Sequence, residues 1–144
     1  MEAEVIEELQ LAATYASWVQ NHCLVGAAHV STHLLANNGV SHGEGNALFL
    51  PSAVKLNAKY SKAAAAKYQI LAENCGLTST EALIDKLVDL RALGELPSSL
   101  ADYQLDPSVI TADALSIMQN DPAGRRNPTE LTDDFLHELF DEVR

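Results

Sequence analysis

Helix start and stop signals recur along this chain, and the segments between them repeat apolar residues at helical rather than strand spacing. Ser41 and Glu44 form a Ser-x-x-Glu capping box, and Thr78 with Glu81 forms a second. Asp106-Pro107 supplies an N-cap followed by a proline at the first helical position, and Thr132 caps the last helical segment. Gly76 suits the C′ position after an alanine-rich helix over residues 63–75, and Gly94 ends the helix that Thr78 opens. Residues 3–21 read as one helix with Val5, Leu9, Ala12, Ala13, Ala16 and Val19 on its stripe, whose alanines let a neighbouring helix come close. Gly26 marks a break or a close contact before a histidine-bearing helix over residues 24–36. The helix opened by Ser41 must kink or end near Pro51, because proline removes a helical donor.

The remaining segments follow the same pattern. Ala82, Leu83, Leu87, Val88 and Leu90 form one apolar face, and Ile110, Ala114, Leu115, Ile117 and Met118 form a shorter one. Phe135, Leu136, Leu139, Phe140 and Val143 make the stripe of the last helix. Residues 96–103 and 120–128 read as loops. No stretch alternates at period two, and there is no internal repeat. The expectation is an all-α fold, one helical bundle of about six or seven helices over residues 1–144.

A chain of 144 residues with 47% apolar content is long enough to bury the core of one domain. Nine Lys and Arg stand against 20 Asp and Glu, a formal net charge of −11. That surface repels phosphate backbones and anionic lipid, so neither nucleic acid nor membrane is expected as a partner. No apolar run approaches the roughly 20 residues of a bilayer span. The acidic Met-Glu-Ala-Glu start is wrong for a secretory signal, and a cytoplasmic setting is expected. Cys23 and Cys75 offer neither a disulfide framework nor zinc spacing and read as small buried hydrophobes.

One constellation resembles a site. On a helix, His29 and His33 project from one face a turn apart, the spacing with which two imidazoles grip a divalent ion or line a cleft. The turn-prone Ala36-Asn37-Asn38-Gly39 then reverses the chain, and His42 follows just inside the next helix start. Three imidazoles from two successive helices therefore meet in one region. Other candidates carry less. His22 reads as a surface or interface histidine. Asp133 and His137 have metal-ligand spacing but fall opposite the apolar stripe of their helix, toward solvent. Arg125-Arg126, the one basic pair, reads as a solvated loop with a weak capacity for anions.

His29-x-x-x-His33, then His42-Gly43-Glu44-x-Asn46-Ala47-x-x-Leu50-Pro51 and Asn57, resembles the signature of the iron-containing (group III) alcohol dehydrogenases. The resemblance extends upstream through Ala16-Ser17, and downstream through Leu96 to Leu100 and Asn127-Pro128…Leu131-Thr132. It implies the C-terminal helical domain of that family, the dehydroquinate synthase-like helical half. It further implies that His29 and His42 are two of four ligands to Fe2+ or Zn2+, and that His33 is the catalytic histidine beside substrate and nicotinamide. The family's remaining Asp and His ligands lie earlier in its helical domain and have no match here. The chain's 7 glycines include no Gly-x-Gly-x-x-Gly behind a strand, so NAD(P) is expected only with a partner domain. The His33–His42 spacing is one residue shorter than is usual in the family, and Ser41 stands where proline is common.

Three readings follow. A nucleotide-binding partner chain completes an alcohol-oxidising enzyme; or the domain is a non-catalytic interaction module; or a homo-oligomer pools His29, His33 and His42 from two copies. In each, the chain alone is expected to be inactive. Self-association, through the first helix or the former cleft face, is expected as well.

Overall fold

Hydroxyl caps set most of the helix starts. In the computed structural model, which describes residues 3–36, 38–105 and 111–144, Ser41 Oγ accepts from the Glu44 amide, and the Glu44 carboxylate accepts in return from Ser41 N at 3.2 Å and Oγ at 2.7 Å. Ser61, Ser79, Thr111 and Thr132 each accept from an amide three residues on. Among the described residues these signals delimit seven α-helices and no strand. They are α1 (Ala3–Cys23), α2 (Ala27–Ala36), α3 (His42–Tyr60), α4 (Lys62–Asn74), α5 (Thr80–Leu93), α6 (Ala112–Asn120) and α7 (Asp133–Asp141). Short 3-10 turns at Ala101–Tyr103 and Gly124–Arg126 interrupt the two predicted loops. The fold is all-α, and none of the described helices is long and apolar enough to cross a membrane.

Several boundaries differ from the sequence reading for identifiable reasons. α2 starts at Ala27 because Leu24 takes φ +60°, and the Gly26 carbonyl accepts the first helical amides, those of His29 and Val30. α3 does not end at Pro51. Pro51 is buried among Phe49, Ser52 and Ala53, so packing holds the helix through it. A proline there leaves the Ala47 carbonyl without its helical amide, and one residue on, Arg91 Nη1 from α5 donates to the Leu48 carbonyl at 3.3 Å, holding α5 against this turn. The cap of α5 is Ser79 rather than Thr78: Gln69 Oε1 accepts from the Thr80 amide at 3.2 Å, and Thr80 is buried, so the extended residue is the one before it. Gly76 takes φ +74° as expected of a C′ residue; its amide and that of Leu77 return to the carbonyls of Glu73 and Ala72. The expected cap at Asp106-Pro107, and Ile110, lie outside the described residues; α6 is capped by Thr111.

The core lies between α2, α3, α6 and α7. Val30 and Leu35, Leu48, Phe49 and Leu56, Leu115 and Met118, and Leu136, Leu139 and Phe140 are all buried there. Phe49 and Phe140 meet edge to face at 4.9 Å. Along the rim, Lys55 pairs with Glu142 at 2.7 Å and Lys59 with Glu138, tying α3 to the end of the chain. The stripe read on α7 is buried as expected. The stripe on α1 is not: the helix buries none of its residues, and Leu9 is 57% exposed. The two cysteines are also exposed, contrary to expectation, because Cys23 ends that uncovered helix and Cys75 caps α4 at the surface. Val88, Leu90 and Ile117, read as core-facing, are exposed too.

Two contacts fix α2 against its neighbours. Where α2 crosses α3, a Cβ on Gly45 would stand 2.7 Å from Thr32 Cγ2 and 3.1 Å from its Oγ1, so only glycine permits this approach. At the start of α2, Asn127 Oδ1 accepts from the Ala27 amide and from Asn57 Nδ2, each at 3.0 Å. Asn127 Nδ2 donates back to Asn57 Oδ1 at 2.7 Å and to the Thr129 carbonyl at 2.8 Å. A Cβ on Gly26 would lie 2.8 Å from Asn127 Oδ1. One side chain thus joins α2, α3 and the loop before α7.

Both contacts are testable by thermal or urea unfolding. Gly45→Ala is expected to destabilise the chain by about 1–3 kcal/mol through overpacking, with part of the loss recovered by adding Thr32→Ala. Asn127→Ala is expected to cost about 1–3 kcal/mol, since it strands the Ala27 amide and the Asn57 carboxamide in a part-buried site. A midpoint unchanged by either substitution contradicts the packing described.

Candidate functional site

α2 carries His29 and His33 on one face, and His42 is the first residue of α3. The Thr32–Gly45 contact joins the same two helices, next in sequence to His33 and three residues after His42. The rings of His29 and His33 lie 4.7 Å apart between centroids, His29 and His42 4.5 Å, and His33 and His42 5.7 Å. All three residues picked from the sequence therefore meet in space. His29 is half-buried, and burial, followed by the nearby His33 and His42, holds its pKa below the ordinary imidazole value, with Asp121 acting in the opposite direction. Its ring thus favours the neutral form, which has a lone pair to offer.

Asp121, the C-cap of α6, places Oδ2 3.8 Å from His33 Nδ1. Its other oxygen accepts from the Ala123 amide at 2.7 Å, which orients the carboxylate. From His29 and His42 a cleft of about 690 Å³ runs past Asn46 and Asn57 to Tyr68 and Arg126. Leu50, Ala53 and Val54 give that cleft an apolar wall. Burial raises the pKa of Tyr68, so its phenol remains protonated.

As the rings stand, His29 packs edge to face on both neighbours, and among the described residues no group of three or more His, Cys, Asp or Glu side chains is arranged to hold a metal ion. The donor chemistry still fits iron or zinc: neutral imidazoles suit both, and His33 and His42 are exposed and free to re-aim. A catalytic ion needs three protein ligands.

The remaining candidates lie apart. His22 is exposed on α1, with Nδ1 2.8 Å from the Trp18 carbonyl. His137 is exposed, and Asp133 accepts instead from Gln119 Nε2 at 2.8 Å. Arg125 and Arg126 are exposed on their turn, and only Arg126 borders the cleft. Sequence reasoning missed three contributors. Gly45 signalled itself as a glycine inside a helix. Asp121 and Asn127 reach the site from loops some 90 to 100 positions away, and spacing along the chain holds no trace of that.

The model of the Fe-containing alcohol dehydrogenase family, C-terminal, matches residues 1–143. The NADPH-dependent butanol dehydrogenase of Clostridium saccharobutylicum is 26% identical over 147 residues, covering 97% of this chain and 38% of the relative. The chain therefore spans little more than a third of that enzyme's length. No solved structure matches it. With a family match over almost the whole chain, and with the histidines of the block His29 to His42 brought together in the fold, this protein belongs to the Fe-containing alcohol dehydrogenase family, as its C-terminal domain.

Proposed function

We propose that this chain supplies the helical, metal-ligating part of an NAD(P)-dependent alcohol dehydrogenase and acts with a nucleotide-binding half carried by further chain or by a second polypeptide. The observation behind this reading is the convergence of His29, His33 and His42, with centroids 4.5 to 5.7 Å apart, at one end of the cleft. His29 and His42 would hold the ion, and His33 would face the substrate. A divalent iron or zinc bound there supplies Lewis acidity toward an alcohol oxygen.

The other roles belong to the chain's own groups. His29, kept neutral by burial, is available as a ligand without first losing a proton. Asp121 Oδ2, 3.8 Å from His33 Nδ1, orients that ring at the mouth of the site. The wall of Leu50, Ala53 and Val54 excludes water and suits a short alkyl chain, in keeping with the butanol in the clostridial relative's name. The cofactor's phosphates are assigned to the other half. A second reading, a non-catalytic interaction module, draws on the uncovered surface of α1.

Metal titration of the purified chain tests the proposal. Zinc or cobalt is expected to bind weakly, in the range of about 10–100 μM, and without alcohol oxidation by NAD+ or NADP+. His29→Ala should remove the binding, whereas His137→Ala should leave it intact. Protons compete for the same lone pairs, so affinity is expected to fall as pH drops below about 6.5 and to be full above it. Hydride transfer by the chain alone would overturn its incompleteness. Metal affinity indifferent to His29→Ala would overturn the site.

A further inference from the structure

Every arginine but one has a partner for its guanidinium. Among the described residues, Arg91 donates to the Leu48 carbonyl, Arg125 to Asn120 Oδ1, and Arg144 pairs with Asp141 at 3.0 Å. The Arg126 side chain neither hydrogen-bonds nor ion-pairs with any described residue, although acids outnumber bases 20 to 9 in the chain. Arg126 also borders the cleft that starts at His29 and His42. Its place there is set from within the chain. The next residue, Asn127, is fastened to the Ala27 amide, to Asn57 and to the Thr129 carbonyl. Two residues before it, a Cβ on Gly124 would stand 2.5 Å from the Met118 carbonyl oxygen, so the turn lies flat against the end of α6. The turn that carries Arg126 is therefore locked between α6 and the start of α2.

The two ends of the cleft differ in chemistry. Imidazoles stand at one, and Leu50, Ala53 and Val54 line the wall that leads to the other. There the carboxamides of Asn57 and Asn127 satisfy each other, which leaves the Arg126 guanidinium and the Tyr68 hydroxyl as the donors facing the space. Burial raises the Tyr68 pKa against the opposing effect of Asn57, so that hydroxyl keeps a proton to donate. A guanidinium has five N–H groups in a planar fork and no acceptor. Its geometric match is a carboxylate, taken through two parallel hydrogen bonds. One guanidinium balances one carboxylate, and the domain's net charge of −11 disfavours anions of higher charge.

We propose that the alcohol or aldehyde taken by this cleft carries a carboxylate at its far end, held by Arg126 with Tyr68 beside it. The substrate class is then an ω-hydroxy acid or its aldehyde rather than a plain alkanol. This inference rests on the metal-ligating reading of His29 and His42, which places the reacting oxygen at their end of the cleft. The apolar wall then lies along the methylenes between that oxygen and the carboxylate.

NMR titration of the full chain in the presence of zinc compares 4-hydroxybutanoate with butane-1,4-diol, in which a hydroxymethyl group replaces the carboxylate. The acid is expected to bind at about 1–10 mM and the diol about 10-fold more weakly. Arg126→Gln should remove that preference, and added salt should shrink it. Arg125→Gln should leave it intact, since Arg125 does not line the cleft. The melting temperature should not change with Arg126→Gln, because the side chain holds no described neighbour. An acid gripped by zinc alone would keep its preference in that variant. Three outcomes overturn the proposal: no binding of the acid, equal binding of acid and diol, or a preference that survives Arg126→Gln. Failure of the metal reading registers separately, as zinc affinity indifferent to His29→Ala.

Discussion

The close approach of α2 to α3 is the constraint on which the rest depends. Gly45 opposite Thr32 lets the two backbones meet without a side chain between them. Any Cβ at position 45 would strike Thr32, and the same two helices carry the three histidines, whose rings lie 4.5 to 5.7 Å apart. The Asn127 carboxamide works at the opposite end of the same helix. By binding the Ala27 amide and Asn57 together it fixes where α2 begins, and hence where its first histidine emerges. The site is thus set from below by sterics and from one side by hydrogen bonds, while its rings stay at the surface.

That division explains the electrostatics. Charges of like sign some 4 Å apart repel by about 4 kcal/mol at the effective dielectric of a protein surface. Three imidazoles this close cannot all carry protons cheaply, and His29, the most enclosed, is the one whose protonation is resisted. Asp121 relieves part of the repulsion from the His33 side.

Local chemistry was legible in the sequence, and long-range chemistry was not. The Ser41–Glu44 box, the Gly76 C′ position and the Thr132 cap are readable because each motif closes within a few residues. The pairing of His29 with His33, and their meeting with His42, needed only a helix, a tight turn and another helix. Pro51 misled because its effect depends on what packs around it: buried, it sits inside a continuous helix. Cys23 and Cys75 misled for the same reason in reverse, since a small apolar residue is buried only if some other element covers it. The α1 stripe was correctly seen as apolar, but periodicity cannot say whether the covering surface lies in the same chain. Asn127 appeared only as part of a resemblance, and its three partners are assembled by the fold.

Charge distribution bears on what the cleft can hold. With a formal net charge of −11, this domain draws divalent cations toward itself and repels anions such as a dinucleotide's pyrophosphate. Among the described residues that line the cleft, Arg126 is the single arginine and no lysine joins it. Its apolar wall suits uncharged groups, and its imidazoles stand on a domain whose net charge favours cations. The anionic participant calls for backbone amides at a helix N-terminus following a glycine-rich turn, a structure that the clustered alanines and acids of these helices do not build. Under the function proposed above, the acidic helical half leaves the cofactor's phosphates to the other half.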